Sequence, residues 1–219
     1  MNLWEHREKA LQALETELYR ETKVIHSLFE MFDNVVERFT LEDTDFLRIT
    51  GLISIKIRSL CHGLLSLALD GHAQESGALL RPAIEAFELL IYFSMDPTRI
   101  NQMKEKKLPQ AGEIAKKIQG KFMPIRKYLN EHASHFRLEP GSLEHFFHLT
   151  PNGDRFLEEP SFNSEVLKEN LGTLALFMMI TLPVSVACLQ QIDIDLANSI
   201  RELHEEVGIV FGNEVPNEF

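Results

Sequence analysis

Apolar residues return every three or four positions along most of this chain, in runs too long for strands and well suited to helices. Leu11, Leu14, Leu18, Ile25, Leu28, Phe29, Phe32, Val35, Val36 and Phe39 follow that spacing with no proline among them. They predict one long amphipathic helix over 4–38, or two in line. "TLEDTDF" follows, with Thr44 placed as the N-cap of a second helix over 45–69. "LDGH" is a turn in which Gly71 suits a left-handed helix end. A third helix is expected over 73–94, stopping before Asp96-Pro97, and the polar stretch 98–121 suits one or two short helices. A helix over 122–137 follows, with Pro124 in its first turn, where proline is tolerated. "LEHFFHLTPNGDRFLEE" changes rhythm around a Pro-Asn-Gly-Asp turn and predicts a small β-hairpin insertion near 143–160. A long apolar helix over 163–190 and an amphipathic one in "DIDLANSIRELHEEVG" complete the pattern. The expected fold is all-α: a single domain over 1–219, a helical bundle of about six to seven helices with its core over 45–206.

One segment changes character enough to need a separate test. "LGTLALFMMITLPVSVACL", residues 171–189, carries no charge and barely reaches membrane-spanning length. Its flanks, "KEN" and "QQIDID", offer neither a basic anchor nor an aromatic belt, so it reads as a buried core helix and no membrane partner is expected. The N-terminal "MNLWEHREKALQALETELYRE" is charged from its fifth residue and lacks a hydrophobic region, so no secretory signal is expected. Cys61 and Cys188 both fall in apolar helical patterns, as small core residues of a reducing compartment would. A cytoplasmic location is expected.

Charge adds an asymmetry. The chain carries a net −11, which disfavours nonspecific binding to nucleic acid or an anionic membrane. Yet residues 99–127 hold nine basic residues against Glu105 and Glu113, a local +7 that leaves −18 for the rest. These lysines either cover the solvent face of a helical connection or form a local site for an anion, RNA included.

The candidate chemistry lies where polar residues interrupt apolar faces. On "ESGALLRPAIEAFELLIYF", Arg81, Glu85, Glu88 and Tyr92 stand at i, i+4, i+7 and i+11 and make one narrow polar stripe on an otherwise apolar helix. Buried charges require partners, so the stripe is either an Arg81–Glu85 ion pair fixing helix register or the wall of a polar pocket. Arg58, His62 and Ser66 share a face of the preceding helix and are possible counterparts, with His62 read as a hydrogen-bonded core residue. In "IRKYLNEHASHF", Ile118, Phe122, Ile125, Leu129 and Phe136 make an apolar seam. His132 falls within it, Arg126 sits on one flank, and Tyr128 and His135 lie along the other. His132 therefore faces the interior or a partner, with Glu85 or Glu88 in reach as a hydrogen-bond partner.

"LALDGHAQESGALLRPAIEAFELLIYF" followed by "YLNEHASHF" resembles an uncharacterised bacterial all-helical family. That family joins a Leu-x-Arg-x-x-x-Glu helix to a Tyr…Leu-Ser/Asn-Glu…His helix, and the resemblance covers roughly residues 45–190. Either His132 or His135 takes the family's histidine position. More distantly, Arg-x-x-x-x-x-His in a helical bundle is similar to the HEPN superfamily, in which dimerisation brings two such motifs together for metal-independent RNA cleavage. The resemblance implies that Arg126 stabilises the phosphate and His132 acts as acid and base, roles that suit a planar guanidinium and an imidazole titrating near neutrality. It also implies a homodimer and a stress or defence role in a bacterium.

Three readings follow. The first is a self-associating bundle that binds a ligand or partner in a polar pocket between the 73–94 and 122–137 helices. The second is the ribonuclease. The third is a metal-binding bundle in which His132 and His135 share a helix face and Glu85 with Glu88 complete the site. No Gly-rich phosphate loop, nucleophile elbow or Cys-x-x-Cys occurs, so NTPase, hydrolase and thioredoxin-like chemistry find no support, and no cofactor is expected.

Overall fold

A computed structural model describes residues 4–39, 44–120, 147–148, 155–156, 162–190 and 193–212. The N-terminal pattern resolves into two helices, α1 (Glu5–Glu15) and α2 (Tyr19–Val36). No proline or glycine causes the break. The Leu18 N–H reaches back five residues to the Ala13 carbonyl at 2.8 Å. The Thr22 hydroxyl lies 3.0 Å from the Leu14 carbonyl and 2.8 Å from that of Leu18, occupying acceptors that the interrupted ladder leaves open.

Helix α3 (Asp45–Leu69) starts at Thr44, whose side chain accepts the Leu47 N–H. It turns through Gly71, at φ 81°, into the antiparallel α4 (Ala73–Met95), which continues through Pro82. A 3₁₀ turn at Pro97–Arg99 leads to α5 (Ile100–Lys104) and then α6 (Ala111–Lys117). After α6, Gln119 adopts φ 52° and the Gly120 N–H bonds the Ala115 carbonyl at 2.8 Å, closing the helix with a left-handed cap. Helix α7 (Ser164–Cys188) is capped by Asn163, and α8 (Ile194–Phe211) by Asp193. Gly212 ends α8 at φ 64°.

The described residues thus form an all-α bundle of eight α-helices, more than the six or seven expected because the N-terminal segment divides and the polar connection holds two short helices. Within the interval expected to form a hairpin, Phe147–His148 and Arg155–Phe156 pair antiparallel over two residues each. The rest of 143–160 lies outside the described residues, and a hairpin of the expected extent is not seen among them.

Helix α7 is the centre, packed against α2, α3, α4 and α8. Leu171, Met178, Met179 and Leu182 from α7 meet Leu28 and Phe32 of α2, Ile57 of α3 and Ile84, Phe87 and Leu90 of α4, all nearly or fully buried. Each such side chain contributes about 1.5–3 kcal/mol by leaving water. Polar atoms in this core are satisfied locally: Thr50 donates to the Phe46 carbonyl and Thr181 to that of Phe177, both at 2.8 Å. The Ser54 and Ser185 hydroxyls meet at 3.2 Å across the α3–α7 contact. Both α3 and α7 are long and apolar enough to cross a membrane, but the apolar window of α7 is 67% buried in the bundle and that of α3 only 33%.

Candidate functional site

The α4 stripe divides into an open end and a closed one. Arg81 Nε donates to Glu85 Oε1 at 3.3 Å, with both side chains about one-third exposed (35% and 32%). The pair is not the buried register-fixing bridge that the apolar surroundings suggested: solvent screens it, and a helical i,i+4 pair of this kind contributes about 0.3–0.5 kcal/mol. One turn on, Glu88 is 1% exposed. A Cβ added at Gly120 would stand 3.1 Å from Glu88 Oε1 and 3.0 Å from the Ala115 carbonyl, so the turn after α6 presses its backbone against this carboxyl. A side chain at this position would require the carboxyl or the Ala115 carbonyl to give by a few tenths of an ångström.

Tyr92, 2% exposed, is the hub at the closed end. Its hydroxyl donates to Gln102 Oε1 on α5 at 3.0 Å. The Arg99 guanidinium lies over its ring at 4.3 Å and donates to its carbonyl at 2.9 Å, while Lys117 Nζ of α6 comes within 5.9 Å of the ring centre. Each such cation–aromatic contact contributes about 0.5–2 kcal/mol. Arg99 is steered there by Asp96, 3.5 Å from its Nε. The Thr98 hydroxyl, with the Thr98 N–H, holds the Asp96 carboxyl below its ordinary range.

The basic connection is partly committed. Lys104 bonds Asp45, whose carboxyl is held low chiefly by that hydrogen bond, and Lys107 pairs with Glu105 at 2.9 Å. Lys106, Lys116 and Lys117 make no ion pair among the described residues. Lys116 and Lys117 occupy the last turn of α6, where the helix dipole favours cations.

Arg58, His62 and Ser66 do not serve the α4 stripe. Arg58 forks onto Asp33 of α2 at 2.5 and 2.7 Å and lies over Phe29. His62 is exposed rather than a core residue, its ring edge-on to Phe29 at 6.1 Å. Ser66 Oγ accepts from Arg7 at 2.8 Å, and the same guanidinium bonds both carboxylate oxygens of Asp70 at 2.5 and 2.6 Å. This face of α3 is the seat of α1 and α2. Their acidic and aromatic residues were visible in the sequence, but the helical pattern alone does not say which neighbour a face meets.

The structure therefore brings Glu88 and Tyr92 together with Arg99, Gln102, Lys117 and Gly120, of which the stripe pattern pointed only to the first two. Arg126, Tyr128, His132 and His135, with the helix expected over 122–137, lie outside the described residues. Among the described residues no group of three or more His, Cys, Asp or Glu is placed to hold a metal ion. A cavity of about 30 Å³ between α3, α4 and α7, lined by Leu64, Ala68, Ser76, Gly77, Leu171 and Leu174, has room for little more than a water. What the α4 edge offers chemically is a cation-rich rim around a buried carboxyl and phenol. Comparison with family models, curated proteins and solved structures found no match.

Proposed function

We propose that this protein is a ligand-binding helical bundle whose site is the polar edge of α4 where α5 and α6 close on it, and that the ligand is anionic, of the phosphate-bearing class that includes single-stranded RNA. The observation that carries this reading is the gathering of Arg99 and Lys117 at Tyr92, inside a stretch whose positive charge opposes that of the whole chain. A guanidinium and an ammonium gathered at one helix edge suit the oxygens of a phosphate. Lys106 and Lys116, both exposed, add to the positive charge of the same stretch.

A ribonuclease is the enzymatic form of the same reading. Arg126 follows Gly120 by six positions and His132 by twelve, so the expected phosphate-stabilising and acid–base residues continue the basic stretch in sequence. The test is binding of a fluorescent RNA oligonucleotide to the wild type and to Lys116→Glu/Lys117→Glu, with cleavage scored in chelator for the wild type, Arg126→Ala and His132→Gln. Binding that weakens in the double variant and falls with salt supports the site. Cleavage lost in both folded single variants supports the enzyme. Equal, salt-insensitive binding by wild type and double variant sinks the proposal.

A further inference from the structure

The joint between α1 and α2 lacks the end signals that this chain uses elsewhere. Helices α3, α7 and α8 begin on the side-chain caps of Thr44, Asn163 and Asp193, and α3 and α8 run out at the left-handed glycines Gly71 and Gly212. The N-cap of α2 is Leu18, which makes no side-chain cap bond. Helix α1 stops at Thr16, at φ −115° rather than in the left-handed region. No proline or glycine stands between them, and Leu14, Glu15, Glu17, Leu18 and Arg20 are good helix formers. Leu11, Leu14, Leu18, Ile25 and Leu28 keep one three-and-four spacing through the joint. The local sequence favours a straight helix, and what bends it is the place where α1 docks.

That seat is small and specific. Arg7 donates to both carboxylate oxygens of Asp70 and, at 2.8 Å, to the Ser66 hydroxyl. His6 lies against the Gly71 turn with its ring edge-on to Phe162. The Arg7 and Asp70 side chains are 31% and 28% exposed, and α1 fully buries only Ala10 and Ala13. Leaving the seat therefore gives up a screened ion pair and little apolar area. A straightened joint would supply ladder partners to the first N–H groups of α2 and the last carbonyls of α1.

We propose that α1 is an exchangeable arm. The joint straightens into one helix over 5–36, α1 docks on the α3–α4 turn of a second copy, and that copy's α1 docks on the first, which closes a two-fold dimer. The seat selects the occupant: Asp70, Ser66 and Gly71 already fit Arg7 and His6 of this sequence, and a second copy carries both. Each exchanged contact repeats one that a single copy makes, so the joint rather than the seat separates the two states. The net −11 of each copy opposes approach, but at physiological ionic strength that repulsion is screened beyond about 8 Å. The exchange does not depend on the α4 reading.

The test is sedimentation of the full chain after incubation at high concentration. The wild type should show a dimer that grows with concentration. Arg7→Asp and Asp70→Arg each set like charges across the clasp and should be monomeric alone. Mixed in equal amounts they should form a heterodimer, because exchange alone brings each reversed side chain opposite one of the other sign. Glu17 lies outside both helices of the bent form, so Glu17→Gly burdens only the straight one. It should weaken the dimer about fivefold at each of two joints, about 25-fold in all. Circular dichroism melts check that the variants fold, and Glu17→Gly decides the matter should a charge reversal fail to. A wild type that stays monomeric would overturn the proposal. So would a folded Arg7→Asp protein that dimerises alone, a mixture of folded variants without heterodimer, or Glu17→Gly dimerising as the wild type does.

Discussion

Gly71→Ala tests how the N-terminal helix is locked to the bundle. Gly71 sits at φ 81°, where a side chain costs about 1–2 kcal/mol. A Cβ there would also stand 2.5 Å from Cε1 and 2.6 Å from Nε2 of His6, which lies across this turn from α1. The imidazole would have to swing away, giving up its edge contact with Phe162 at 5.5 Å, which adds about 0.5–1.5 kcal/mol. The substitution should therefore cost about 2–3 kcal/mol in the wild type, but only the backbone part, about 1–2 kcal/mol, in a His6→Ala background. Urea unfolding of the four proteins in this cycle measures the coupling, expected near 1 kcal/mol. Equal costs in both backgrounds would show that His6 does not rest on the turn. A cost below about 0.5 kcal/mol would show that residue 71 is not left-handed.

Three further outcomes are expected. Arg7→Ala and Asp70→Ala should show a coupling of about 1 kcal/mol in a double-mutant cycle, reduced by salt because both side chains are about 30% exposed (31% and 28%). Burial pushes the Cys61 and Cys188 thiols up to about 12, so both should resist a thiol reagent at pH 8 until the protein is unfolded. The sign of that shift means that stability present below the unfolded thiol value is lost as pH rises above it, and Cys61→Ala should reduce the loss in alkaline titration. The Leu196 N–H at the α8 cap, with Arg38 beside it, holds the Asp193 carboxyl low. Its contribution is present above about pH 3.9 and fades as pH falls through the depressed value, so Asp193→Asn should flatten the acid limb of a stability–pH curve.

The helices were legible because each depends on local spacing. The α3–α4 hairpin and the apolar α7 follow from periodicity, from Thr44 and from Gly71. The break at 16–18 was not, since its apolar positions continue the wheel of a single helix and the departure is made by backbone and threonine hydroxyl bonds. The candidate site was legible in part. The stripe pattern found Glu88 and Tyr92, yet it could not know that Arg81 and Glu85 would stay open to solvent or that Arg58 and Ser66 would turn to Asp33 and Arg7. Periodicity gives a direction around one helix axis; what stands in that direction depends on how the helices assemble. Gly120 had a signal as a helix terminator, but its closeness to Glu88 exists only in three dimensions.

The division between α1 and α2 bears on how the chain matures as it is made. An unbroken helix over 4–38 would be about 50 Å long, against about 37 Å for the 25-residue α3, and would overhang the bundle. The break lets α1 fold onto the α3–α4 turn, but Arg7 leaves the ribosome 63 residues before the Asp70 it binds. At about 5–20 residues per second α1 waits several seconds for its dock. The residues it buries fully are the small Ala10 and Ala13, and of its larger apolar side chains only Leu14 packs on the core. Docking therefore withdraws little apolar surface from water, and the wait leaves little more of it exposed than the finished fold does.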